Sequence, residues 1–245
     1  MVEPLFHWDG PEPVVGQTID LSGPEAKHAV QVRRMRVGEA IQVSNGLGLR
    51  VRGTVAFADN ANLGISVAEV IREPRPELEL FLVQALAKGD RDELAIQAAT
   101  ELGIFGVIPW QAERSISRWE GTKIQKSVER WQTIVDEAAK QALRAWSPAV
   151  SDPLSSKQLV QVFNDFELVL VLDPTAQVGL TSAKLPNSGK VALVVGPEGG
   201  ISRVELELFE AAGAVRVHLG APILRTSTAG LAAISALQAS MGYWA

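Results

Sequence analysis

The chain has 245 residues, 47% hydrophobic and 21% charged, a balance that fits a globular protein with a sizeable core. A formal net charge of −5 argues against a wholly basic nucleic-acid wrapper and leaves room for a local basic patch. The absence of cysteine excludes disulfides, iron–sulfur clusters and thiolate nucleophiles, and the scattered His7, His28 and His218 argue against a histidine metal site.

The opening residues, MVEPLFHWDGPEP, show no basic start followed by an apolar run. No apolar stretch approaches the ~18 residues of a membrane span. The expectation is a cytoplasmic protein with no membrane segment and no metal. The segment PEAKHAVQVRRMRVG predicts one helix, with Pro24 near its start and Gly38 beyond its end. Short strand-like runs follow, GEAIQVSNG, LRVRGTVAFA and LGISVAEVI, and suggest a small β-barrel or sheet. Pro74 and Pro76 bracket Arg75 and interrupt any regular ladder, so a domain boundary is placed there, giving domains 1–73 and 74–245.

Beyond the boundary, strands alternate with helices. LELFLVQAL reads as a buried strand, and Asp90 with Glu93 as a capping pair for a helix ending at Gly103. GVIPW is a short strand. Residues 123–145 predict a long helix with Ile124, Val128, Trp131, Val135, Ala138 and Ala142 on one face. ELVLVLD, VALVVG and VRVHLG are further strands, the last two almost wholly apolar, as suits parallel strands covered on both faces. LAAISALQASMG is the closing helix. The class is α/β with a parallel sheet.

Two loops carry the chemical signal. In VVGPEGGISRVE, a strand ends in Gly196-Pro197-Glu198-Gly199-Gly200, and Ser202 with Glu205 forms a capping box that starts a helix near Arg203. Ligands of parallel α/β sheets bind at such strand ends, where glycine lets them approach the backbone. A tight turn alone explains the glycines but not Glu198. The loop fits neither G-x-G-x-x-G nor the P-loop, which disfavours a nucleotide held by its phosphates. The second loop, HLGAPILRTSTAGLAAIS, also joins strand to helix. It places Arg225 before a helix that Thr226 or Ser227 can cap. Arg225 is either a solvated loop cation or a group facing an anionic ligand. In a parallel sheet, Leu172 and Asp173 bring a third strand end beside these two.

GPEGGIS with Glu205, followed by LGAPILRTSTA, resembles the ribosomal RNA small subunit methyltransferase E family. HAVQVRRMRVGEAIQVSNG, IQAATELGI, ERSISRW and WQTIVDEAAKQALR extend the resemblance over nearly the whole chain. The resemblance implies a SPOUT-type knotted methyltransferase domain with a small PUA-like β-barrel before it. It also implies S-adenosylmethionine as cofactor, N3 of a uridine in 16S rRNA as target, the rRNA or small ribosomal subunit as partner, and a homodimer. The cofactor would lie against Leu172, Asp173, Gly196, Pro197, Glu198, Gly199, Gly200, Leu219, Gly220, Ile223, Leu224 and Thr226. In the family the last motif usually reads L-R-T-E-T, and here Ser227 replaces the acid. Glu198 is one candidate to serve in its place.

Uridine N3 is a poor nucleophile until its proton is lost, so a base, or a cation stabilising the developing anion, is required. Arg225 is the catalytic candidate as that cation, ahead of Glu198 as a carboxylate base. Lys27, His28, Arg33, Arg34 and Arg36 form a local basic cluster, with Arg33 and Arg36 on one helix face. The bland reading is a solvated helix end. The resemblance favours RNA contact by His28, Arg33, Arg34 and Arg36, joined by Arg114 and Arg144. Gln141 and Arg144 could also serve a dimeric active site. The alternatives are another SPOUT enzyme, acting on a ribose 2′-hydroxyl or a tRNA base, and a non-catalytic RNA-binding protein.

Overall fold

A computed structural model describes residues 3–59 and 61–244. The chain forms two compact units. The first runs to Arg75 and includes Ala139–Ser147; the second comprises Pro76–Ala138 and Pro148 onward.

The first unit contains β1 (Leu5–His7), β2 (Thr18–Leu21), α1 (Gly23–Lys27), β3 (Ala40–Ser44), β4 (Leu49–Ala58) and β5 (Leu63–Arg72). Its strands form a curled sheet in the order β1-β3-β4-β5-β2, antiparallel except for β1 beside β3. Along β4, Leu49, Val51 and Val55 point inward while Arg52, Thr54 and Ala56 face solvent, the period of two that a half-buried strand demands. These join Phe6, Leu21, Ile41, Val43, Leu63 and Ile65 in one core. Residues 139–147 complete the unit through local hydrogen bonds: Gly48 N–H donates to the Ala145 carbonyl at 2.9 Å, and the Trp146 indole to the Glu73 carbonyl at 3.0 Å.

The helix expected over residues 24–38 is shorter and irregular. α1 ends at Lys27, a wide π-type turn carries the chain to Val32, and Arg34 adopts a left-handed φ of 56°. The cause is Met35. It is buried in the core of the unit and its N–H bonds the Ala29 carbonyl at 3.0 Å, turning the chain before a regular helix can continue. Arg33 and Arg36 therefore do not share a helix face.

The second unit contains β6 (Leu78–Ala85), α2 (Arg91–Glu101), β7 (Gly106–Gln111), α3 (Lys123–Gln141, its last residues already in the first unit), β8 (Ala149–Val150), β9 (Leu154–Ser155), α4 (Ser156–Leu159), β10 (Leu168–Leu172), β11 (Gly189–Val195), α5 (Arg203–Ala211), β12 (Val215–Val217) and α6 (Thr226–Ser240). The sheet order is β12-β10-β11-β6-β7-β8, with β9 also on β7, and every pairing is parallel. Apolar clusters cover both faces. Leu82, Leu170 and Leu193 pack with α2 and α6 residues on one; Val83, Val171 and Val194 pack with Phe163 and Phe209 on the other. This is why the strand sequences read as continuous apolar runs.

α3 stops at Gln141, four residues short of expectation, and Leu143 takes a left-handed φ of 56°. Trp131, Val135 and Ala138 are buried as its pattern requires. At α2 the expected capping pair does not form. Asp90 makes no side-chain cap and Glu93 pairs with Arg130 instead. Asp92 takes over the turn by accepting the Ala87 N–H at 2.9 Å, and burial raises its pKa.

Candidate active site

Because β12, β10 and β11 are adjacent and parallel, their carboxyl ends open side by side. The segments leaving them enclose a cleft of about 500 Å³, within the size range of small-molecule sites. Leu172 and Asp173 line it from β10; Gly196, Pro197, Glu198 and Gly200 from β11; Leu219, Gly220, Ile223, Leu224, Arg225 and Thr226 from the segment after β12. Sequence reasoning thus brings one cleft together from three distant stretches. Gly199 is the exception. It does not line the cleft, and a Cβ there would stand 3.1 Å from Cβ of Arg114. The Arg114 guanidinium donates to the Gly199 carbonyl at 3.0 Å, so this glycine makes room for Arg114.

The glycine loop is anchored from below. Thr226 Oγ1 donates to the Gly196 carbonyl at 2.8 Å and accepts from Gln84 Nε2 at 2.9 Å. Gln84 and Thr226 are both buried, so this chain fixes the loop to the start of α6 in a place where a lost partner is costly. Gly230, one turn on, has Leu82 and Val195 3.3 Å from where a Cβ would lie, which lets α6 sit close on the sheet. On the far side of the loop, Ser202 and Glu205 form the expected capping box. The buried Glu205 carboxylate also accepts the Glu113 N–H at 2.7 Å and the Ser156 hydroxyl at 2.6 Å. Neither Thr226 nor Ser227 caps α6. Arg225 occupies the cap position without a side-chain bond, and Thr226 is committed to Gly196.

Glu198 is a hydrogen-bond acceptor here. Its Oε1 receives the Lys88 N–H at 3.1 Å and Arg91 Nη1 at 3.0 Å. Partial burial raises its pKa, but its own N–H, the Lys88 N–H and Arg91 outweigh that and hold it below the ordinary carboxylate value. It is ionised at neutral pH and unsuited to take a proton from N3. Asp173 is likewise held low. Burial opposes ionisation, and the Thr175 N–H and hydroxyl together with Arg216, at 2.7 Å, override it. Arg225 is exposed at the cleft and has no side-chain hydrogen bond or ion pair among the described residues. His218 Nδ1 accepts the Gly220 N–H at 3.0 Å, holding the segment after β12 in its turn.

The RNA candidates fall in two places. Arg33, Arg34 and Arg36 are exposed on the irregular segment of the first unit, and His28 is half-buried, edge-on to the Phe6 ring. Arg144 is half-buried in the same unit, and desolvation pulls its guanidinium down to about 10. Arg114 belongs to the second unit, at the glycine loop. Arg91, Gln84 and His218 escaped sequence reasoning. Arg91 follows the carboxyl end of β6, beside β11, and the strand-end rule applied to that loop would have found it. Gln84 carried no signal, since a glutamine within an apolar strand shows its partner only in three dimensions.

Residues 74–238 match an RNA methyltransferase domain family, and residues 21–63 an RNA methyltransferase PUA domain. Ribosomal RNA small subunit methyltransferase E of Mycobacterium tuberculosis is 38% identical, over all of this chain and 94% of that protein. That of Bacillus subtilis is 35% identical, over 90% of this chain and 89% of that one. The crystal structure of the Neisseria gonorrhoeae methyltransferase E, bound to S-adenosyl methionine, superposes with a TM-score of 0.88 at 29% identity, covering 98% of both chains. A Legionella pneumophila methyltransferase in complex with the same cofactor gives 0.87 at 30% identity, again over 98% of both. The architecture is the SPOUT methyltransferase fold preceded by a PUA-like domain. The chain is a member of the ribosomal RNA small subunit methyltransferase E family.

Proposed function

We propose that this protein transfers a methyl group from S-adenosylmethionine to N3 of a uridine in 16S rRNA. The observation that carries the reading is the cleft: three parallel strand ends, a glycine loop braced from beneath, and at its edge an arginine whose side chain has no partner among the described residues. The cofactor complexes of similar proteins support S-adenosylmethionine as the ligand. In this reading the first unit holds RNA and the second performs the transfer. Membership of the family supports a knotted path around the cleft. The exposed Ile223 and Leu224 support completion of the site by a second copy of the chain. As a ribosomal RNA enzyme it would work in the cytoplasm.

The residues present fit the cofactor. Leu172, Val195, Val217, Leu219, Ile223 and Leu224 give apolar walls, and the lining main chain at 196–198, 200, 219 and 220 offers polar groups. When bound, S-adenosylmethionine supplies an electrophilic methyl on a sulfonium. Leu172, Asp173, Gly196, Pro197, Gly200, Leu219 and Gly220 would hold and orient it, with Thr226 bracing the loop from beneath. Arg225 stabilises the charge that develops on N3 and the flanking carbonyl oxygens as the proton leaves, an interaction stronger in the transition state than with neutral uracil. Glu198 acts through its hydrogen bonds, keeping Lys88 and Arg91 in place. The N3 proton passes to solvent water and no protein base is assigned; Ser227, at the position of the usual acid, cannot act as one at neutral pH.

Calorimetry of the purified protein with S-adenosylmethionine tests the reading. Binding at one site per chain, undiminished by a chelator, is expected. Absence of binding by a folded protein would overturn it.

A further inference from the structure

We propose that Arg91, set by Glu198, is a second substrate-holding arginine of the active site, and that it grips a phosphodiester flanking the target nucleotide. This rests on the reading of the cleft given above.

Three independent segments of the second unit bring cations to one glycine loop. The start of α2 delivers Arg91, whose Nη1 is tied to Glu198 Oε1; the same oxygen accepts the main-chain N–H of Lys88. The turn after β7 delivers Arg114, tied to the Gly199 carbonyl. The segment after β12 delivers Arg225. In a protein of net charge −5, this convergence is local and opposed by the rest of the molecule. Glu198 offsets one of these three arginines, and Asp173 in the cleft wall is paired with Arg216, so the loop keeps a net positive charge.

The excess does not suit the cofactor alone. S-adenosylmethionine is a net cation, and surrounding it with arginines raises its energy unless an anion also arrives. An RNA backbone is such an anion. Arg91 has the geometry for it. Its side chain lines the cleft and is 44% exposed, and Glu198 engages only Nη1, leaving the other face of the planar fork for phosphate oxygens. A free arginine would lose side-chain entropy on gripping a phosphate; here the carboxylate has already restricted it. Arg91 is thus a substrate contact, and Glu198 is its positioning residue.

The test uses the full-length protein, small ribosomal subunits from a strain lacking the enzyme, and S-adenosylmethionine. Arg91→Ala is expected to raise KM for subunits by about tenfold or more and to lower the salt slope of subunit binding by about one. It should leave kcat and cofactor affinity within about twofold of wild type. Arg91→Lys should recover part of the KM, since charge returns without the fork. Glu198→Gln should raise KM in the same direction by a smaller factor. A large loss of cofactor affinity in Arg91→Ala would make Arg91 a ligand of the cofactor carboxylate and overturn the proposal. Unchanged KM and salt slope would do the same, reducing the Arg91–Glu198 pair to a structural ion pair. Failure of the wild-type protein to bind cofactor would instead strike the underlying reading of the cleft, so the two failures are separable.

Discussion

Arg225 and Glu198 lie on the same cleft with opposite chemistry. Arg225 has no side-chain partner among the described residues and is permanently charged at neutral pH. Glu198 is saturated by donors that hold its pKa low. That both line one cleft was legible in the sequence, because each follows the end of a strand in a parallel sheet. What Glu198 does was not legible, because Lys88 and Arg91 lie far from it along the chain. Arg225→Ala should lower kcat by about 10²-fold or more, the loss expected when a charge-stabilising donor is removed. Cofactor affinity should change little, and Arg225→Lys should restore turnover only in part. Single-turnover methylation at saturating cofactor, beside calorimetry, checks this. Near-normal methylation with abolished cofactor binding would make Arg225 a cofactor-binding residue.

Among the elements, those set by local periodicity were legible. β10 and β11 announced themselves as apolar runs, and α5 by the Ser202–Glu205 box that the structure contains. Elements decided by a distant partner were not. The segment after α1 looks helical by its spacing, yet the burial of Met35 turns it aside. Ser227 looks like a cap, yet the chain from Gln84 through Thr226 to Gly196 sets the start of α6 instead. Gly199 looks like a floor for a ligand, yet it faces Arg114. Gly230 carries the close contact of α6 with the sheet, and its neighbours are side chains of two different strands. Gly230→Val should therefore destabilise the protein by about 1–3 kcal/mol through overpacking. Denaturant unfolding measures it; a midpoint equal to wild type would show that α6 shifts freely and does not brace the glycine loop.

At the scale of the whole molecule, an acidic chain presents its positive charge in separate places. Arg33, Arg34 and Arg36 stand exposed on the first unit, while the cations around the glycine loop belong to the second. The two-unit organisation was legible near Pro74 and Pro76, but the return of residues 139–147 to the first unit was not, since its hydrogen bonds to Gly48 and Glu73 span the sequence. Replacing Arg33, Arg34 and Arg36 together by Ala should weaken binding to 16S rRNA and flatten its salt dependence, with up to about one unit of slope lost per phosphate contact. Cofactor affinity should be untouched. Filter binding across a salt series decides this, and an unaltered slope would assign these arginines to solvent. The central claim, a uridine-N3 rRNA methyltransferase working from the cleft at the ends of β10, β11 and β12, is tested most directly by mass mapping of methylated nucleosides in small-subunit rRNA from a strain deleted for the protein. The account predicts that N3-methyluridine disappears from one position in 16S rRNA, returns with the wild-type chain, and does not return to wild-type level with Arg225→Ala. An unchanged 16S modification pattern in the deletion strain, or loss of a ribose 2′-O-methyl or tRNA mark in its place, would contradict it.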